Sequence, residues 1–197
     1  MTQVFDESGN LLPVSVLRID PNVVIATKTK DADGYAAVVV GIDEAKKNRL
    51  TKADAGQFPE NISPKKKIRE LRDFEKEVAV GDSLGLEVLD GVRYVDVSGM
   101  SKGKGFQGVV KRYGFGGGRK THGSKFHREP GSTGQNTYPH RTFKNRKLPG
   151  RMGRENVTVL SLRVVKTDPE KQLIMVRGAV PGINKGLVFV RSAVKKG

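Results

Sequence analysis

The 197-residue chain carries 36 Lys and Arg against 21 Asp and Glu, a formal net charge of +15, and contains no cysteine. These values exclude a disulfide framework and a thiolate metal site, and they favour a polyanionic partner over a small acidic metabolite, which needs only a few cations. No apolar run approaches the ~20 residues that cross a bilayer, and the N-terminal segment lacks the apolar centre of a signal peptide. We therefore expect a cytoplasmic protein without a membrane partner.

Short strands separated by turns are predicted along residues 1–42. The turn-forming segment DESGN separates MTQVF from LLPVSVLRI, which predicts a β-hairpin. Pro13 would place the second strand at a sheet edge or a bulge. VVIATKTK then predicts a strand, and the nearly all-apolar run YAAVVVGI has the pattern of a strand buried on both faces.

Residues 43–67 are polar and predict a surface excursion, in which Thr51 caps a short helix over KADAGQF. Strand patterns resume in KIRELRDF, in EVAVGDSLGLEVL, where apolar residues alternate on both sides of a turn at Gly81 and Asp82, and in VRYVDVSG. After residue 155 the chain predicts a hairpin with TDPEK at its turn and a last strand in INKGLVFVRSAV. About eight short strands predict a mainly β fold, an antiparallel β-barrel with minor helix, begun by residues 1–97 and completed by residues 156–197.

Residues 98–155, the basic loop, differ from the rest of the chain. They hold 14 Lys and Arg but only two acidic residues, 13 of the 24 glycines and 11 apolar residues in 58. Such a segment buries too little apolar area to offset its conformational entropy, so we expect it to be disordered alone and ordered by a polyanion. Its six aromatic residues favour RNA, whose unpaired bases stack on rings. Because strand patterns flank it, the loop is predicted to be an insertion that enters and leaves through adjacent strands.

The motif GKGFQG, at residues 103–108, matches dinucleotide-binding and kinase glycine loops. A dinucleotide site requires a helix after the third glycine, and the continuation VVKRYGFGGGRK predicts none. The other kinase motifs are absent from the sequence. The glycines are better explained as positions where the backbone approaches phosphates closely. We therefore predict no enzymatic activity, no cofactor and no small-molecule substrate.

The three histidines, His122, His127 and His140, could indicate a metal or an acid/base centre. Only Glu129 and Glu155 are near them in sequence, and neither has zinc-site spacing, so contacts to phosphate, sugar or base are the favoured role. No serine or threonine lies in a nucleophile-elbow pattern. The lysine triplet at residues 65–67 is consistent both with a solvated face and with a secondary RNA contact.

The chain resembles the universal L-three family of large-ribosomal-subunit proteins in its bacterial form. The resemblance extends over almost the whole sequence, through MTQVFDESGNLLPVSV, VSGMSKGKGFQGVVKR, THGSKFHREPGSTGQN, PGRMGRENVTVLSLRVV and GAVPGINKGLVFVR. It implies a β-barrel of the translation-protein type whose loop is threaded through rRNA toward the peptidyl-transferase centre. It also implies a primary binder near the 3′ end of the large-subunit (23S) rRNA that nucleates subunit assembly beside proteins of the L-fourteen and L-nineteen families.

The resemblance also assigns site residues. Gln135, in GSTGQN, corresponds to the glutamine that a dedicated methyltransferase converts to N5-methylglutamine in bacterial members, and residues 121–136 correspond to the part of the loop deepest in rRNA. The resemblance also implies further residues before the position of Met1, so we expect either a shortened first strand or a true start upstream. YPHRTF stands where many members have a proline-glycine pair. The predicted rRNA-binding residues are Lys102, Lys104, Lys111, Arg112, Arg119, Lys120, His122, Lys125, His127, Arg128, Gln135, Arg141, Lys144, Arg146, Lys147, Arg151 and Arg154.

Two alternatives belong to other functional classes. A nucleotide-dependent enzyme built around GKGFQG would be stabilised against heat by ATP or NAD. A free-standing nucleic-acid chaperone would use the same basic loop without joining a ribosome.

Overall fold

The computed structural model describes residues 1–72, 74 and 76–196, except for the side chain of Lys47. The chain forms two compact units. The first contains Met1–Val95, Ser161–Ala179 and Arg191–Gly197, and the second contains Asp96–Leu160 and Val180–Val190.

The described strands pair in three sheets, with the orders β1-β2-β11-β10-β7-β12, β5-β4-β3-β6 and β8-β9. The strands are β1 (Thr2–Phe5), β2 (Leu11–Arg18), β3 (Asn22–Lys28), β4 (Ala37–Glu44), β5 (Lys65–Arg72), β6 (Ser83–Leu84), β7 (Tyr94–Met100), β8 (Phe106–Gln107), β9 (Gly150–Arg151), β10 (Asn156–Asp168), β11 (Leu173–Arg177) and β12 (Val188–Ser192). The helices are α1 (Lys30–Asp33), α2 (Lys52–Ala55) and α3 (Val109–Tyr113), with 3-10 turns at Lys47–Arg49 and Leu86–Leu89. The mainly β, antiparallel class is confirmed, and closure of the sheets into one barrel stays a prediction.

The N-terminal hairpin is confirmed. β1 and β2 pair antiparallel from Phe5 opposite Leu11 to Thr2 opposite Val14. The turn is held by Asp6, whose Oδ1 accepts hydrogen bonds from the backbone N of Ser8 at 3.0 Å and of Asn10 at 2.7 Å. An aspartate that bonds the backbone a few residues ahead is the reason why this polar segment turns the chain.

The prediction that Pro13 places β2 at a sheet edge or a bulge is wrong, because β2 lies between β1 and β11 and pairs with both without a register shift. Pairing with β11 ends at Val14, opposite Arg177, and beyond it the N of Gly178 donates to the O of Pro13 at 2.9 Å. The N and O of one strand residue point to the same side. The missing N–H of Pro13 therefore removes only the reciprocal bond to Gly178 at the end of the ladder, and the O of Gly178 accepts a hydrogen bond from the Ser15 hydroxyl at 2.6 Å instead.

The four-stranded sheet contributes an apolar core to the first unit. Val24 is fully buried, and Val38 and Val40 of β4 pack with it. Leu71 and Leu84 pack against this cluster from β5 and β6. The prediction that the apolar run of β4 is a strand buried on both faces is confirmed. Neighbouring strand residues point to opposite faces, and both members of the pairs Ala37–Val38 and Val40–Gly41 are buried.

The helix capped by Thr51 is confirmed as α2. The Thr51 hydroxyl accepts a hydrogen bond from the N of Asp54 at 3.2 Å, which satisfies one of the amides left unpaired at a helix start. The lysine triplet at the end of the predicted excursion begins β5, an edge strand of the four-stranded sheet. The last part of the predicted strand KIRELRDF, at Asp73, lies outside the described residues.

The strand predicted over EVAVGDSLGLEVL is mostly wrong. Only β6, which pairs with β3, is a strand, and Leu86–Leu89 form a 3-10 turn. Leu86 and Leu89 are both buried. Two apolar residues three positions apart lie on the same side of a 3-10 turn, so this segment buries its leucines without extending.

The predicted route into and out of the basic loop is confirmed. β7, which precedes the loop, and β10, which follows it, are neighbours in the six-stranded sheet. The predicted hairpin of β10 and β11 is also present, with Asp168 opposite Leu173. Within the described residues, no helix combines the length and the apolar character needed to cross a bilayer.

Candidate nucleic-acid interface

The base of the basic loop is a narrow antiparallel ribbon. The N of Ser101 donates to the O of Glu155 at 2.9 Å, and the N of Lys104 donates to the O of Met152 at 2.9 Å. β8 and β9 continue this pairing, with Phe106 opposite Arg151. The pairing brings together four predicted RNA-binding residues from the two ends of the loop. They are Lys102, Lys104, Arg151 and Arg154.

A one-turn helix follows the glycine motif, contrary to the prediction that its continuation forms no helix. α3 follows Gly108 and is capped at its C-terminal end by Gly114, whose φ of 73° is left-handed. Val109 is buried, with 1% of its surface exposed, and anchors the turn. Packing of this one valine overrides the low helix propensity of the glycine-rich sequence. The helix carries Lys111 and Arg112.

Arg112 joins the outgoing and returning parts of the basic loop. Its Nη1 donates to the carbonyl oxygen of Leu148 at 2.7 Å. Gly150 leaves room for the guanidinium, because a Cβ at that position would lie 2.6 Å from Nη1. The ring of Tyr113 lies 5.0 Å from the Arg112 guanidinium carbon and 5.8 Å from the Nζ of Lys147. Arg112 is half-buried, whereas the other predicted RNA-binding residues are exposed.

The middle of the loop folds back on itself. The N of Gly118 donates to the O of His127 at 3.1 Å, and the His127 Nδ1 lies 2.9 Å from the O of Arg119. A Cβ at Gly118 would collide with the carbonyl oxygen of Phe126. Gly118 is therefore required by the approach of the chain to itself. The fold-back places Lys120, His127 and Arg128 around one shallow cleft.

The remaining predicted residues are not gathered into one place. His122, Lys125, Gln135 and Lys144 are exposed in segments that form neither helix nor strand. The Arg141 guanidinium carbon lies 5.8 Å from the centre of the Phe143 ring. Arg146 donates from Nη2 to the carbonyl oxygen of Ser132. The interface is therefore an extended surface and not a pocket.

Among the described residues, no ion pair involves a Lys or Arg of the basic loop. The ion pairs of Arg18 with Asp20, Lys28 with Glu70 and Lys65 with Glu44 all lie outside the loop. Nor does the described part of the chain contain three or more histidine, cysteine or acidic side chains placed to hold a metal ion. The loop thus offers exposed cations to a partner that supplies many negative charges.

A β scaffold that carries a long basic loop with interspersed aromatic rings defines a class of basic proteins that assemble on nucleic acid. The model of the family described as ribosomal protein L3 matches residues 66–172. The chain belongs to this family, and it is accordingly a ribosomal protein and not an enzyme.

Curated relatives match along nearly their whole length. The large ribosomal subunit protein uL3 of Treponema denticola is 56% identical over 196 residues, which cover 100% of this chain and 94% of that protein. The protein of the same name from Borrelia hermsii is 46% identical and covers 100% of this chain and 95% of its own. That from Geobacillus thermodenitrificans is 48% identical and covers 99% and 93%, respectively.

Proposed function

We propose that this chain is a structural component of the large ribosomal subunit in the cytoplasm and that its basic loop binds rRNA. The observation that carries the proposal is the loop's 14 Lys and Arg against two acidic residues, with no ion pair to any of them among the described residues. Each cation that meets a phosphate releases condensed counterions, so an extended basic surface gains affinity without enclosing its ligand. The names of the relatives agree with this assignment.

The finer role follows the family resemblance. On this proposal the chain is a primary binder near the 3′ end of the 23S rRNA, nucleates assembly and extends residues 121–136 toward the peptidyl-transferase centre. The entry and exit of the loop through neighbouring strands supports this role, because a chain that leaves and returns at one place can occupy a gap between rRNA helices. Neighbouring proteins of the L-fourteen and L-nineteen families are the proposed protein partners.

Gln135 is the proposed modification site. Its side chain is exposed, as a methyltransferase acting on the free protein requires. Mass spectrometry of the native protein tests this assignment, since methylation adds one methyl group to the peptide that contains Gln135. An unmodified peptide from cells that contain the methyltransferase would contradict it.

The deciding experiment for the proposed function is sedimentation of a native lysate, with the chain followed by antibody. We expect the chain to travel with the large subunit at near one copy per particle and to be released by ribonuclease or high salt. A chain that remains at the top of the gradient without either treatment would overturn the ribosomal assignment and favour a free-standing nucleic-acid chaperone.

A further inference from the structure

Phe106, in the ribbon at the base of the basic loop, has a ring that is largely exposed to solvent. Its side chain is 76% exposed. Among the described residues, no cation or second ring faces it at the distances found for other aromatic residues of the loop. A phenylalanine so exposed contributes little to folding, because its apolar surface stays in water.

The other aromatic rings of the loop either contact a neighbouring side chain or backbone, or lie in a segment without sheet pairing. Tyr113 is approached by two cations and by Phe115 at 6.3 Å between ring centres, and Phe143 is approached by Arg141. Phe126 is less exposed, at 36%, and its ring packs against Gly118, where a Cβ would lie 2.5 Å from the ring Cδ1. Tyr138 is 82% exposed but belongs to a segment without sheet pairing.

The ribbon holds the backbone of Phe106 in a fixed register. Phe106 lies opposite Arg151, and Gln107 lies opposite Gly150. Directly opposed residues share a face of a β-ribbon, so the Phe106 ring and the exposed Arg151 guanidinium belong to one face. Gly150, on the other face, meets the Arg112 guanidinium. The face of the ribbon that contains Gly150 thus contacts Arg112 of the same chain, and the opposite face presents the Phe106 ring beside the Arg151 cation.

We propose that Phe106 is a stacking platform for one unpaired RNA base and that Arg151 binds a phosphate next to that base. A ring gives every base a flat apolar surface, and a neighbouring arginine neutralises the backbone that arrives with it. The proposal rests on the proposed rRNA-binding function and assigns it a contact that the basic residues alone do not provide.

Charge decides in favour of RNA over a protein partner at this position. The surrounding residues Lys102, Lys104, Arg151 and Arg154 are exposed cations. An apolar protein surface placed over Phe106 would have to bring these cations close to it and remove part of their hydration. A polyanion gains from the same cations.

The test compares full-length variants binding to two probes at one salt concentration. The first probe is a short single-stranded RNA that contains 2-aminopurine, whose fluorescence falls when it stacks, and the second is an RNA duplex of the same length. Phe106→Leu keeps an apolar side chain but removes the ring, and Phe106→Trp keeps a ring. Tyr138→Leu removes a comparably exposed ring of the same loop and serves as the matched control.

We expect Phe106→Leu to bind the single strand about tenfold more weakly and to lose the fluorescence change, while duplex binding stays as in the wild type. Phe106→Trp and Tyr138→Leu should retain single-strand binding. Unchanged single-strand binding by Phe106→Leu would overturn the proposal that Phe106 stacks on a base. It would then favour a protein partner that covers this ring. An equal loss in Tyr138→Leu would also overturn it. Failure of the wild-type chain to bind either probe would instead contradict the proposed RNA-binding function itself.

Discussion

The four-stranded sheet and the basic loop are stabilised by different interactions. The sheet encloses Val24, Val38 and Val40, whereas Val109 is the one buried residue among the loop's 58. Backbone hydrogen bonds, close chain approaches at glycines and the bond from Arg112 to Leu148 hold the loop. The difference indicates that the sheet obtains its stability from apolar burial, while the loop depends on polar contacts that a nucleic acid can extend.

The largest effect expected from this difference is the salt dependence of RNA binding. If the basic loop makes about 6 to 10 phosphate contacts, affinity for large-subunit rRNA should fall by about 10³ to 10⁵ between about 50 and 200 mM salt. A filter-binding titration measures the slope. A chain in which the segment between Ser101 and Glu155 is replaced by a short turn is the control, and an equal slope in that variant would show that the charge of the loop is not responsible.

A truncation in the sheet should reduce stability far more than a larger truncation in the loop. Val24→Ala removes fully buried atoms and should lower the free energy of unfolding by about 1 to 3 kcal/mol. Phe143→Ala removes more atoms, but from a side chain that is 60% exposed. It should change the free energy of unfolding by less than about 0.5 kcal/mol. Denaturant unfolding compares the two. Similar losses in both variants would contradict the contrast between sheet and loop.

Arg112→Ala should loosen the base of the loop without affecting the sheet. Loss of the hydrogen bond to the Leu148 carbonyl should raise amide exchange at Lys104 and Met152 by about tenfold. Hydrogen exchange followed by NMR measures this directly. Arg112→Lys keeps the charge and is the control for electrostatic effects. Unchanged exchange in the alanine variant would show that the bond does not hold the ribbon.

Each lysine at the base of the loop should contribute a small, measurable part of the salt dependence of rRNA binding. We expect Lys102→Ala and Lys104→Ala to lower the salt slope of rRNA binding by about one unit each. Lys171, exposed in the turn between β10 and β11, is outside the basic loop and gives the matched variant Lys171→Ala. A slope that changes as much for Lys171 as for Lys102 would contradict a specific phosphate contact at the base.

The smallest predicted effect belongs to the sheet. The Nζ of Lys28 donates to Glu70 at 2.7 Å and the Tyr35 hydroxyl donates to Glu70 at 2.8 Å, and these bonds lower the pKa of Glu70 from its ordinary value of 4.5. A lowered pKa contributes stability above pH 4.5 that is lost as the pH falls through the lowered value. The same bond to Glu70 raises the pKa of Lys28, so its contribution is lost only at strongly alkaline pH.

Glu70→Gln should therefore be less stable than the wild type near neutral pH, and the difference should shrink as the pH falls below 4.5. Thermal unfolding at several pH values measures it. Glu60→Gln changes an exposed carboxylate outside this cluster and is the control. A difference that is constant with pH would exclude the hydrogen-bonded carboxylate as its source.

Local patterns predicted the parts of the fold that depend on local chemistry. The turn at Asp6 and the cap at Thr51 both use a side chain that bonds backbone a few residues away, so the sequence contains the whole interaction. The 3-10 turn of Leu86–Leu89 was mispredicted, because Leu84, Leu86 and Val88 are spaced by two, as the residues on one face of a strand are. One-turn α3 was missed because its anchor, Val109, is stabilised by packing that the local sequence does not show.

The composition of the candidate site was predictable, and its geometry was not. Charge and glycine content identified the basic loop without a structure. The bond from Arg112 to Leu148 joins residues 36 positions apart, and the opposition of Phe106 and Arg151 depends on the register of the ribbon. Neither is encoded in a periodic pattern, so sequence reasoning treated Arg112 and Arg151 as equivalent cations and assigned no specific contact to Phe106.

The hydrogen bond between Ser101 and Glu155 has an evolutionary consequence. It holds the two ends of a long insertion side by side. The strands that flank the loop are therefore joined as closely as they would be by a tight hairpin turn. Residues can then be gained or lost beyond this point at a small cost in closure entropy. The scaffold and the loop are free to diverge at different rates, and loop length can follow changes in the RNA without requiring a new fold.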